Sequence, residues 1–202
     1  MGMFGGFGRA VLSGIALLSI LFSTVSAQAM SYADGEDLYR RGFYAEAHDV
    51  WLALAEAGDR DAQYRLGALF HDGVTVAQDY EKAAFWYKKA ADAGNYHAQF
   101  DLATLYDMGA GVRQDLGQAA YWYHRAAAQG APAGQYNMAV MLEDGVGVDR
   151  DYPDSYFWYD QALRRDFFDI RGSSRERVSA KMTMAEILST QRRSRNWQPV
   201  RE

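Results

Sequence analysis

The chain has 202 residues, 21 Lys and Arg against 26 Asp and Glu, and a formal charge of -5. That length suits one domain or two small ones, and the acidity argues against a general nucleic-acid binder, which needs a basic surface to neutralise phosphates. With no cysteine, disulfides and thiolate-metal frameworks are excluded, so stability must come from packing.

Arg9 is the only charged residue before Asp34, and it precedes the apolar run Ala10 to Val25 and the small-residue stretch Ser26-Ala27-Gln28-Ala29. This order is the secretory signal pattern. The run is shorter than the roughly 20 apolar residues of a spanning helix and is interrupted by Ser13, Gly14, Ser19, Ser23 and Thr24. Residues 1–29 are expected to be a signal peptide cleaved after Ala27 or Ala29, sending the chain to the periplasm or the medium. A retained membrane anchor is the alternative. Without Arg9 the mature chain keeps 20 basic and 26 acidic groups.

Residues 31–60 follow, with Leu38 to Gly42, Tyr44 to Ala47 and Trp51 to Gly58 reading as a helical hairpin of tetratricopeptide type that caps what comes next. Residues 61–96, 97–132 and 133–168 then align without insertion or deletion. The repeated columns include Gln63/Gln99/Gln135, Gly73/Gly109/Gly145, Val76/Val112/Val148, Asp79/Asp115/Asp151, Trp86/Trp122/Trp158 and Tyr87/Tyr123/Tyr159. Apolar positions recur at helical spacing in both halves of each unit, at 62, 66, 69 and 70 and again at 83, 86, 87, 90 and 91, so each unit predicts two helices. Glycine at 73, 109 and 145 suits a positive φ that ends the first helix. Asp79, Asp115 and Asp151 stand where an N-cap acceptor opens the second. Pro153 and Pro132 fit first turns. Gly58, Gly94 and Gly130 close the second helices, and Asp166 breaks that series. In residues 169–202, Arg175 to Arg195 predicts one or two helices, with Val178, Met182, Ile187 and Leu188 covering the last repeat, because open repeat ends need caps.

The pattern Ala98-x3-Leu102-x2-Leu105-Tyr106-x2-Gly109-x-Gly111-Val112-x2-Asp115-x3-Ala119-x2-Trp122-Tyr123-x2-Ala126-Ala127-x2-Gly130 resembles a Sel1-like repeat, the longer relative of the tetratricopeptide repeat. The tail from Met182-Thr183-Met184 to Arg195-Asn196-Trp197 is also similar to the closing helix of bacterial members. Departures are Gly134, Ser155, Thr75 and Asp166. The resemblance implies an all-α fold, a right-handed superhelical α-solenoid of helical hairpins, and a non-enzymatic adaptor of the bacterial envelope that binds a partner protein and needs no cofactor. A regulator restraining a membrane sensor, or an accessory that holds cell-wall glycan, are the other roles it leaves open.

By analogy with tetratricopeptide geometry, the concave wall receives Tyr64/Phe100/Tyr136, Arg65/Asp101/Asn137, Ala68/Thr104/Val140, His71/Asp107/Glu143 and Asp72/Met108/Asp144. An aromatic row flanked by varied polar groups suits an extended peptide, the rings giving area and the polar groups register. Equally, those rings could pack between repeats. The Trp and Tyr columns at 86 and 87 and their equivalents are read as core. Charge divides the chain: Gln28 to Leu163 carries 10 basic and 21 acidic residues, Arg164 to Glu202 10 basic and 5 acidic. The acidic array favours a basic partner segment through steering. The tail, densest at Arg192-Arg193-Ser194-Arg195, offers either a solvated helix end or contact with anionic lipid. The histidines His48, His71, His97 and His124 form no i,i+4 pair, and only His71, Asp72, Asp107 and Glu143 have a chance of converging as a metal or acid-base site.

Overall fold

In a computed structural model, residues 30–165, 167–169 and 173–201 are described. The expected signal peptide (1–29) and Asp166 lie outside these residues. Among them the chain forms ten helices and no strand: α1 (Tyr32–Arg40), α2 (Tyr44–Glu56), α3 (Arg60–Asp72), α4 (Tyr80–Asp92), α5 (Tyr96–Met108), α6 (Leu116–Ala128), α7 (Pro132–Asp144), α8 (Tyr152–Leu163), α9 (Ser174–Ser179) and α10 (Met184–Asn196). Consecutive helices pair as antiparallel hairpins, and each second helix packs on the first helix of the next hairpin. The result is an all-α solenoid.

The boundaries of each repeat come from local chemistry. Asp79, Asp115 and Asp151 accept hydrogen bonds from the backbone N–H groups of Lys82, Gln118 and Asp154 at 3.0, 2.9 and 2.8 Å, satisfying donors that have no partner inside the helix. Gly73, Gly109 and Gly145 end the first helices with φ of 67°, 69° and 70°. Each loop then closes on itself, with the N–H of Asp79, Asp115 and Asp151 donating to the carbonyls of Phe70, Tyr106 and Leu142. Pro132 and Pro153 occupy first turns, where their missing N–H costs nothing.

Two devices join one hairpin to the next. Gln63, Gln99 and Gln135 are buried, and their Nε2 atoms donate to the carbonyls of Ala55, Ala91 and Ala127 at 3.0, 3.1 and 3.1 Å. Each therefore caps the last turn of the preceding second helix. In the loops, Gly111 and Gly147 press on the backbone carbonyls of Tyr80 and Leu116 in the preceding unit, leaving no space for a Cβ. Thr75 takes that position in the first repeat, where it instead borders a cleft with Tyr44, Ala45 and His48 of the opening hairpin. The departure to threonine thus falls where the close backbone approach is relaxed. Ser155, replacing an alanine, is also accommodated, its buried hydroxyl donating to the carbonyl of Ala139 at 2.8 Å.

The Tyr column is fully buried and Trp122 and Trp158 are 2% and 6% exposed, while Trp86 is half-buried at the junction with the first hairpin. Alanines at 83, 90, 119, 126 and 162 have no exposed surface and let helices approach. At the far end, α9 and α10 both pack on α8. Val178 is buried, and Met182 packs on the core. Leu188 is 56% exposed, contrary to its expected place in the cap, because α10 turns Thr190 and Ser194 inward instead. The inward Ser194 belongs to a polar lock: buried Asp160 accepts from Arg164 Nε at 2.6 Å, Arg175 Nη1 at 2.9 Å and Ser194 Oγ. Trp197 then lies edge-on to Phe157 and Trp158, and the N–H of Val200 donates to the carbonyl of Ala128. Arg193 pairs with Asp154 at 2.8 Å and covers Phe157, so the basic cluster is partly spent on holding the tail down.

Candidate interaction surface

The first helices α3, α5 and α7 present the expected binding positions, and the buried Tyr column reaches the same wall from behind. Tyr64 stacks on Tyr87 at 5.8 Å, Phe100 tilts against Tyr123 at 5.6 Å, and Tyr136 meets Tyr159 edge-on at 5.2 Å. Every ring of the row therefore rests on a tyrosine of its own hairpin. What covers the row differs from unit to unit.

In the first repeat, His97 from the next first helix stacks on Tyr64 at 5.5 Å. Burial holds the His97 ring below its ordinary pKa and the Tyr64 phenol above its own, helped in the latter by hydrogen-bonded Asp101. Asp101 is itself pushed up to about 6, mainly by burial, with Asp72 adding repulsion and His71 and the Tyr64 hydroxyl opposing it. His71 Nδ1 lies 3.4 Å from the exposed Asp72 carboxylate, and its ring tilts over Tyr80 at 5.5 Å. Arg65 is drawn the other way. It pairs with Glu36 of α1 at 3.0 Å and lies over the rings of Tyr39 and Trp51 at 4.8 and 4.9 Å. Its role is to fasten the opening hairpin to the first repeat.

In the second repeat the position equivalent to His97 is Ala133, which has no ring to lay over the half-buried Phe100. Thr104 Oγ1 sits 3.1 Å from the Tyr123 hydroxyl, which also bonds Asn137. Asp107 is half-buried one turn on, and Met108 is 58% exposed at the helix end. Together Phe100, Thr104, Asp107 and Met108 make an apolar strip with an acidic edge.

The third repeat is closed by the chain's own C-terminal segment. Tyr136, expected on the open row, is 2% exposed: Phe167 lies 5.3 Å from its ring, and its hydroxyl donates to Asp169 Oδ1. Glu143 is likewise engaged, accepting from Arg177 Nε and Nη2 at 2.6 and 2.9 Å and from the Tyr159 hydroxyl at 2.8 Å. Residues 167–169 and Arg177 of α9 thus cover this wall, as the first helix of a further repeat would. His71, Asp72, Asp107 and Glu143 do not converge, since Glu143 is turned to Arg177 and His71 to Asp72. Among the described residues no group of three or more His and carboxylate side chains is placed to hold a metal ion. The Tyr123 and Tyr159 hydroxyls also belong to this wall, bonded to Thr104 and Glu143, although their column reads as core in the sequence. Their signal was the choice of Tyr over Phe in a buried column, because a buried phenol needs a polar partner.

A family model described as Sel1 repeat matches residues 60–95, 97–130 and 132–167. Among solved structures, the chain is similar to a Sel1 repeat protein from Oxalobacter formigenes, with 29% identity and a TM-score of 0.64 over 70% of this chain and 57% of that one. It is also similar to c5321, a protective antigen present in uropathogenic Escherichia coli strains displaying an SLR fold. That match has 26% identity and a TM-score of 0.55, covering 87% of this chain and 47% of that one. The chain therefore spans about half the length of these relatives. No curated protein matches it.

Proposed function

The chain belongs to the Sel1 repeat family, whose members generally act as protein-interaction scaffolds, and from that premise we propose that it is an exported scaffold of the bacterial envelope. It holds an extended segment of a partner protein against the first helices of its first two repeats. The observation that carries this reading is the unequal covering of three equivalent walls: the third is covered by Phe167, Asp169 and Arg177, while Phe100 is only half-buried and Met108 is exposed. The internal segment serves as a template for the external one, burying an aromatic ring on Tyr136 and bringing an arginine to Glu143. A partner segment with an apolar side chain for Phe100 and a basic one for Asp101, Asp107 or Asp72 fits the same logic. Export rests on the charged, apolar and small-residue order of residues 1–29.

A photo-crosslinking side chain at Thr104 is expected to capture a partner in cells. The same group at Tyr121, which is exposed on the second-helix side, is expected to capture none. Capture from position 121 alone would move the interface to the other face. Mass measurement of the mature chain, expected to begin at Gln28 or Met30, tests export separately.

A further inference from the structure

The outer end of the first hairpin carries an open apolar groove of about 640 Å³. Leu38 of α1, Val50 and Leu54 of α2 and Met30 line it, and Glu46 and Asp49 of α2 stand on its rim. Terminal units of a solenoid ordinarily turn a polar face to water. At the opposite end, α10 presents a complementary surface. Met184 and Leu188, 69% and 56% exposed, lie one turn apart, and exposed Arg192 and Arg195 continue the same face.

We propose that α10 of one copy seats in the N-terminal groove of a second copy, joining copies head to tail. Laid antiparallel on α2, α10 meets it in register. Leu188 to Arg195 spans about 10 Å and Leu54 to Glu46 about 12 Å at 1.5 Å per residue, so Leu188 beside Leu54 brings the two arginines to Asp49 and Glu46. Charge selects this occupant over the chain's own first 29 residues, whose single charged side chain is Arg9. The wider imbalance agrees, with the array acidic and residues 164–202 basic. Because the two surfaces differ, the contact is heterologous and each copy that docks exposes a fresh site, so growth passes the dimer unless a ring closes.

Sedimentation equilibrium of the full chain is expected to give a mass that rises with concentration beyond the dimer. Leu188→Asp should weaken association roughly 10- to 100-fold, the cost of losing one buried leucine, with helicity and melting unchanged; Leu54→Asp should weaken it as much and also melt lower, because Leu54 packs on the core of the first hairpin. Mixed in equal amounts they should form a dimer that grows no further, since each variant keeps one intact surface. Arg192→Glu with Arg195→Glu should also dissociate the chain, and adding Glu46→Arg with Asp49→Arg should restore it. A wild-type chain that stays monomeric at every concentration would overturn the proposal, as would association that survives both leucine substitutions. So would a Leu54→Asp variant that melts lower with no change in mass.

Discussion

Asp101 makes stability depend on pH through a single side chain, and on the proposed partner wall it would do the same for binding. Burial lifts its pKa from 3.8 to about 6, so the folded chain holds this proton more tightly than the unfolded chain does. The resulting stability cost is absent below pH 3.8, grows as pH rises and is complete above about 6. Asp101→Asn is therefore expected to match the wild type near pH 4 and to exceed it in urea denaturation at pH 7. The same substitution should remove any weakening of a basic partner's binding between pH 7 and 5, because protonation of Asp101 takes a negative charge off the wall. A second residue-scale outcome concerns Gly147, where φ is 70° and a Cβ would collide with the Leu116 carbonyl. Gly147→Ala should cost about 2–4 kcal/mol from strain and displaced backbone together, against less than about 1 kcal/mol for Thr75→Gly. Thermal melts of the two variants compare these directly.

Among the elements, α9 and α10 are fastened by polar contacts as well as by Val178 and Trp197. Burial alone would raise the Asp160 pKa, but hydrogen bonds from Ser194, Arg164 and Arg175 outweigh it and hold the carboxylate below its ordinary value. Its stabilisation is present above the unfolded value and is lost as pH falls through the folded one, opposite in sense to Asp101. Asp160→Ala should destabilise by about 2–4 kcal/mol, toward the lower end for a broken buried pair because Arg164 and Arg175 are close enough to water to be resolvated. Tryptophan fluorescence should shift to the red as Trp197 leaves Phe157 and Trp158. The Gln column plays the equivalent part between repeats, satisfying carbonyls that the stacking of hairpins would otherwise bury without a donor.

At the scale of the whole molecule, contacts run between neighbouring hairpins, so the two ends decide what the array exposes. Removing residues 167–202 would uncover Tyr136, Phe157 and Trp158, and the shortened chain is expected to aggregate irreversibly in light-scattering assays, whereas association of the intact chain should reverse on dilution. The same truncation exposes Glu143 and Tyr136 as a third site, so any soluble fraction should gain partner capture at position 140. Affinity for a basic partner should fall as salt rises, since the array's acidic excess acts over a Debye length of roughly 8–10 Å near physiological ionic strength.

The repeat period, both helices of each unit, their caps and the buried aromatic columns were legible in the amino-acid order, because each depends on contacts within about one period and recurs in register. Caps need only a side chain and a backbone N–H three residues away; glycine at a helix end needs only the chirality of its neighbours. The site was legible in part. Positions facing the first-helix wall follow from helical phase, but whether a position is free depends on what lies over it. Tyr64, Phe100 and Tyr136 are equivalent in sequence, yet His97 stacks on Tyr64 while Phe167 and Asp169 close over Tyr136. Asp169 comes from outside the period, as does Arg177 on Glu143. Leu188 faced outward for the same reason: the phase of a capping helix is set by its docking partner, here Asp160 and Gln161 drawing in Ser194. Periodic features belong to the sequence, and the breaking of their equivalence belongs to tertiary packing, since a repeated side chain has a fixed direction but no fixed neighbour at the end of the array.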